Sequence, residues 1–246
     1  MIAWMLFLVA SAFSTASAGT ADIQEVADVI RHERPQIAER VDQMEPIKNR
    51  AGQWFFPGAD LTDPAAQVLI QDRLLKAVDA PAVRVALAYA LDEHHRLPWD
   101  VIRTQEPELR MAMLHAYKNV ASEAAVDVLA SAMKDEAKMV RAEAVRLAGY
   151  LPQLGSLSQS VVTGLQDEDP SVRMMSVRAL GWHEVSEAFT PVVGMLSDPD
   201  TQVRLAAIRA LGKIDRERAT GLTEIQRFAV GDDPALRRAV ERLARP

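Results

Sequence analysis

No cysteine occurs anywhere in the chain. That single absence excludes disulfides, thiolate metal sites, a cysteine nucleophile and a lipidated N-terminal cysteine. Aromatic residues are scarce as well, 5% of 246 positions, and the bulky β-branched and aromatic runs that build sheets are few. Nor is there a basic excess: the net charge is −6, which argues against a general nucleic-acid binder. No HExxH, GxSxG, P-loop or GxGxxG element appears, so the familiar nucleophile, zinc and phosphate-cradling arrangements are missing.

Long hydrophobic runs are confined to the start. Ile2 to Phe13 is apolar and is followed by Ala16-Ser17-Ala18. An apolar core before an A-x-A sequence predicts an export signal over residues 1–18, cleaved after Ala18, although only the amino terminus supplies positive charge. The competing reading, an uncleaved anchor, is disfavoured because the run falls short of the ~20 residues that cross a bilayer. An exported chain without cysteine suits a bacterial periplasm or secretion, with no stable membrane insertion after cleavage.

What the chain has in abundance is Ala, Leu, Val, Met and Arg, a helix-forming mixture, and one short pattern written six times. "AVRVALAYAL" begins at Ala82, "ELRMAMLHAY" at Glu108 and "MVRAEAVRLAG" at Met139. "SVRMMSVRALG" begins at Ser171, "QVRLAAIRALG" at Gln202 and "ALRRAVERLA" at Ala235. Their shared arginines, Arg84, Arg110, Arg141, Arg173, Arg204 and Arg237, are separated by 26, 31, 32, 31 and 33 residues. Such a period marks supersecondary units that bury their faces only by stacking. Each unit reads as two helices, as in "SEAFTPVVGMLSD", the turn "DPDTQ", then "VRLAAIRALG". Asp169-Pro170 and Asp198-Pro199 carry helix-start chemistry. Gly149, Gly181 and Gly212 follow the last apolar residue of their copies, where a left-handed cap favours glycine. The shortened "RLPWDVI" around Trp99 accounts for the 26-residue spacing.

"DEDPSVRMMSVRALG" and "SDPDTQVRLAAIRALG" resemble HEAT repeats of the short type named for phycobilisome bilin lyases. The resemblance covers residues 64–246 and is strongest over 125–246. It implies an all-α fold, a right-handed α-solenoid of about six HEAT-like two-helix repeats. It also implies a ladder in which the turn acid and the second-helix arginine link neighbouring repeats. Asp135–Arg141, Asp167–Arg173 and Asp198–Arg204 match at a common offset of six. Residues 19–63 do not match and are expected to form an atypical N-terminal helical cap, broken near Pro35, with Trp54, Phe55 and Phe56 packed on the first repeat, the alternative being an exposed anchor for a partner or membrane surface. The basic end "ALRRAVERLARP" offers a polar C-terminal cap or a stacking surface.

Numbering each second helix from its Val172 equivalent and advancing ~100° per residue sets positions 1, 5, 8 and 9 toward the core. Position 7 falls nearly opposite and reads Tyr89, His115, Arg146, Arg178, Arg209 and Arg242; position 3 reads Val85, Met111, Ala142, Met174, Leu205 and Arg238. In HEAT-type solenoids second helices line the concave surface, so the resemblance places these columns in a groove. Basic at one end and apolar or aromatic at the other, the groove suits a protein or peptide with acidic and apolar anchors. The alternative for each arginine is a solvated side chain or a pair with Glu143 or Glu241.

Catalysis has little support. His32, His94, His95, His115 and His183 lie in different units, and adjacent His94-His95 project apart. Asp167/Asp169 and Asp198/Asp200 have a capping explanation rather than a metal or acid–base one. Trp182 and Tyr150 are expected to fill gaps between units. The expectation is a non-enzymatic scaffold or adaptor without cofactor or metal. An enzyme or accessory related to bilin lyases, and a nucleic-acid-binding solenoid, are the rival readings.

Overall fold

The structure, a computed structural model, describes residues 20–50, 54–56, 61–76, 81–91, 97–118, 122–152 and 154–245. The apolar leader, the expected cleavage point after Ala18, and His94-His95 lie outside the described residues. Among the described residues the chain is all-α apart from one two-residue strand pair. It divides into two compact units, Met1–Val120 and Ala121–Pro246.

In the first unit, helix α1 (Thr20–Glu33) buries Ile23, Ala27 and Ile30, one helical stripe,. Pro35 cannot continue it, so the chain breaks at Arg34 and restarts as α2 (Pro35–Asp42), which buries Ile37, Ala38 and Val41,. Strands β1 (Ile47–Lys48) and β2 (Trp54–Phe55) pair antiparallel, Ile47 opposite Phe55. This pairing was not expected: "WFF" is too short a run to separate strand from coil by periodicity. Phe56 is buried as anticipated, whereas Phe55 is exposed; the Trp54 side chain lies outside the described part.

Both leading helices pack on α3 (Pro64–Leu75). Its start is capped by Asp63, whose carboxylate accepts from the Ala65 N–H at 2.8 Å,. Covered on nearly every side, α3 carries buried polar groups with dedicated partners. Gln67 Nε2 donates to the carbonyls of Leu61 (2.7 Å) and Ala90 (2.9 Å). Asp72 receives Arg31 at 2.7 Å and Lys76 at 2.8 Å, as burying a carboxylate requires. Helix α4 (Pro81–Ala90) packs on α3 and β2. The one-turn α5 (Trp99–Ile102) confirms the shortened first helix, and α6 (Pro107–Leu114) packs on α4.

The second unit holds four helix pairs: α7 (Glu123–Ala132) with α8 (Lys138–Ala148), α9 (Ser158–Thr163) with α10 (Pro170–Trp182), α11 (Phe189–Gly194) with α12 (Thr201–Ile214), and α13 (Arg216–Thr220) plus α14 (Thr223–Val230) with α15 (Pro234–Ala244). The second helices stack in chain order, α8 on α10, α10 on α12, α12 on α15. This is the repeat solenoid expected from the period.

Two local expectations are corrected. Gly149, Gly181 and Gly212 are not left-handed caps: Gly149 is right-handed (φ −62°) and the other two lie inside their helices. They permit close approach instead. A Cβ on Gly149 would lie 2.9 Å from the Trp182 ring, one on Gly181 would lie 2.6 Å from Ala210 Cβ, and one on Gly212 would strike Leu243. The left-handed residue that ends α10 is Glu184, φ 49°. Val185 N–H bonds back to Leu180 at 3.1 Å in a Schellman closure,. Asp198-Pro199 likewise is not the helix start: Asp200 caps α12, accepting from Gln202 (2.7 Å) and Val203 (3.1 Å).

Candidate partner-binding face

Position 2 of each second helix supplies the structural frame. Arg141 donates two parallel bonds to the Asp167 carboxylate, 2.8 and 2.9 Å, and Arg173 does the same to Asp198 at 2.7 and 3.0 Å. The same arginines reach back six residues to a carbonyl, Arg141 to Asp135 (3.0 Å) and Arg173 to Asp167 (2.9 Å). The offset of six therefore joins the arginine to the backbone of its own turn, and the carboxylate it grips belongs to the next repeat. Arg204 keeps the carbonyl bond to Asp198 (2.7 Å) but ends on Thr201 Oγ1 (2.7 Å), so the carboxylate ladder stops there.

The carboxylates of Asp167 and Asp198 serve twice, and Asp135 shares their second, turn-closing role. Asp167 Oδ1 also accepts the Asp169 N–H (2.9 Å), Asp198 Oδ1 the Asp200 N–H (2.8 Å), and Asp135 Oδ1 the Ala137 N–H (2.8 Å). Burial pushes the Asp167 and Asp198 carboxyls up, but Arg141 and Arg173 with those N–H groups more than offset it, leaving both below the usual carboxylate range,. Asp169, which accepts from Ser171 and pairs with Lys138 of the preceding repeat at 3.0 Å, is held at about 2.

With position 2 tied up in stacking, position 7 of the second helices faces outward or partly so, as does position 11 where it is described. In the second unit Arg178, Arg209 and Arg242 are exposed at position 7. Among the described residues none of these three guanidiniums has a hydrogen-bonding or acidic partner. Arg178 instead lies over the Trp182 ring, 5.0 Å from its centroid. Arg146 differs: Glu143 grips it at 2.5 and 2.7 Å and it rests over Tyr150 at 5.2 Å. Glu143 thus removes Arg146 from the row of open cations.

Tyr150 and Trp182 were expected to be packed away. Both touch across the repeat boundary, centroids 6.0 Å apart, yet remain 41% and 37% exposed. They are the residues the columns missed. Their signal was present in "RLAGY" and "RALGW", an aromatic four residues after the position-7 arginine and so on the same helix face.

Position 3 is less open than expected. Leu205 is only 6% exposed and belongs to the core, Met174 is partly buried, and Arg238 is exposed but bonds its own helix at Pro234 (3.0 Å). In the first unit, Tyr89 and His115 meet edge to face, centroids 4.7 Å apart, with Met111 partly buried on α6. Among the described residues no group of three metal-ligating side chains converges, and no helix is long and apolar enough to cross a membrane.

Residues 158–244 match the family model of HEAT repeats. The match spans α9 to α15, the helices that carry Arg173 and Arg204 of the frame described above, and supports a HEAT-repeat reading of this part of the chain. No curated protein matches the chain.

Proposed function

We propose that this chain is a non-enzymatic protein-binding scaffold or adaptor, acting through the outer face of its second helices. The observation that carries the reading is the row Arg178, Arg209 and Arg242. One exposed arginine recurs at the same position of three successive stacked helices, without a hydrogen-bonding or acidic partner among the described residues. An arginine kept only for solubility has no reason to hold register, whereas one that meets an extended partner does. Exposed Trp182 and Tyr150 beside the row supply the apolar anchors that protein recognition favours. The HEAT match supports a protein-interaction role, since repeat stacks offer long continuous surfaces. The spacing of 31 to 33 residues in the last four copies favours the short bilin-lyase-type subclass of the repeat. The apolar leader ending in Ala16-Ser17-Ala18 favours export to a periplasm or secretion, which mass spectrometry of the mature N-terminus tests: a chain starting at Gly19 is expected.

A peptide-display selection on the full chain tests the scaffold reading. Enriched peptides are expected to combine acidic with apolar residues and to lose binding to an Arg178→Glu, Arg209→Glu, Arg242→Glu variant of matched helicity. Failure to enrich any ligand, or equal binding to the variant, contradicts it.

A further inference from the structure

The three open arginines carry more than a charge. Their helices are stacked through glycine contacts, Gly181 against Ala210 and Gly212 against Leu243. Position 10 of one second helix meets position 8 of the next in both cases, so homologous positions stay in register. Packed helices lie ~8–10 Å apart, and contacts through glycine belong at the close end, which sets the arginine rows roughly 8–9 Å from one another.

An extended partner crossing these helices must present carboxylates on one face at that interval. A β-strand does not: same-face residues are ~6.7 or ~13 Å apart. A polyproline II segment does, because its three-residue turn and ~3.1 Å rise return every third side chain to the same face after ~9.3 Å. Charge complementarity limits the partner further. Arg178, its guanidinium carbon 5.0 Å from the Trp182 ring centroid, has no hydrogen-bonding partner among the described residues and so keeps its N–H groups available for a planar carboxylate. The exposed part of the Trp182 indole offers an apolar surface of the kind proline-rich segments dock on. A nucleic-acid backbone fits less well. The turns that open α10 and α12 carry Glu168, 86% exposed, with Asp169 and Asp200, and the chain is acidic overall.

We propose that the Arg178–Arg209–Arg242 row takes an acidic polyproline II segment with carboxylates at every third residue, the carboxylates paired with successive arginines and a proline set against Trp182. This rests on the scaffold reading above and names its ligand.

The test uses the full chain and three fluorescent nonapeptides of Glu and Pro or Gln and Pro. One repeats Glu-Pro-Pro three times, one has the same composition with its glutamates contiguous, and one replaces Glu by Gln. The repeated peptide is expected to bind about tenfold more tightly than the contiguous one and the Gln peptide not at all. Arg178→Glu, Arg209→Glu and Arg242→Glu are each expected to weaken it about three- to tenfold, while Arg227→Glu on α14, an equal charge change off the row, leaves it unchanged. Melting curves matched across variants exclude unfolding as the cause. Equal binding of the repeated and contiguous peptides overturns the spacing. Preference for a helical peptide with glutamates seven apart overturns the polyproline geometry. Tighter binding of a single-stranded oligonucleotide at physiological salt overturns the ligand class. In the first two cases, or if no nonapeptide binds while display selection still yields ligands, the scaffold reading survives and this inference alone falls.

Discussion

Replacing Gly181 by alanine sets two effects of opposite sign against each other. In a free helix the substitution gains about 1 kcal/mol, because alanine loses less backbone entropy. In this repeat stack the new Cβ lies 2.6 Å from Ala210 Cβ and 2.7 Å from Ala210 Cα, against an ordinary contact of 3.4–4 Å. The second of those atoms is backbone, so no side-chain rotation relieves it and α12 must retreat from α10 by nearly 1 Å. A gap of 0.5–1 Å forfeits a quarter to a half of each dispersion contact, and overpacking of this kind costs about 1–3 kcal/mol. The same retreat stretches the Arg173–Asp198 pair that joins these repeats. Packing outweighs propensity, and a net loss of about 1–2 kcal/mol is expected. Urea unfolding followed by circular dichroism reads it as a lower midpoint at unchanged slope. Gly212→Ala is the internal control: it meets the movable tip of Leu243 and is expected to cost less or nothing. A Gly181→Ala variant more stable than the parent by about 1 kcal/mol would refute the close-approach argument.

The arginine frame yields a second test: Arg173→Ala strands the Asp198 carboxylate, only 3% exposed, and is expected to cost about 3 kcal/mol. Arg204→Ala, which loses only carbonyl and Thr201 bonds, should cost about half that in the same urea assay. Stability should also fall with acid. Folding lowers the Asp167, Asp169 and Asp198 carboxyls, so the unfolded chain binds their protons more tightly; their contribution is complete above an unfolded value of ~4 and is lost as pH falls through the folded values, about 2 for Asp169,. Melting temperature against pH checks this, and the acid limb should flatten in Asp169→Asn. Glu184→Gly relieves the left-handed strain at the end of α10 and is expected to raise stability by about 0.5–1 kcal/mol in thermal melts. Glu143→Gln removes the charge that neutralises Arg146, and should tighten binding of acidic peptides a few-fold in a titration.

The six-fold period, the two-helix units, the break at Pro35 and the Asp169 cap were legible because each is a local pattern of a few residues. The role of Gly149, Gly181 and Gly212 was not. A glycine after the last leucine looks the same whether it caps a helix or admits a neighbour, and only the atoms of Trp182, Ala210 and Leu243 distinguish the two. The ladder shows the same limit. The offset of six is visible in the chain, yet the carboxylate Arg141 grips lies 26 residues away, a separation set by stacking. Leu205 failed as a groove residue because a helix wheel describes one helix, and its neighbours cover that position. Trp182 and Tyr150 failed in reverse: their size argued for burial, but a place beside position 7 leaves over a third of each exposed.

The second-helix face is tested most directly by photo-crosslinking a display-selected ligand to the full chain with a benzophenone amino acid at Trp182, at Phe55 or at Gln226, the last an exposed position on α14. A crosslinked adduct is expected from position 182 that charge reversal at Arg178 and Arg209 abolishes, and none from 55 or 226. An adduct from Phe55 or Gln226 with none from 182 would contradict this and move the binding surface off the arginine row.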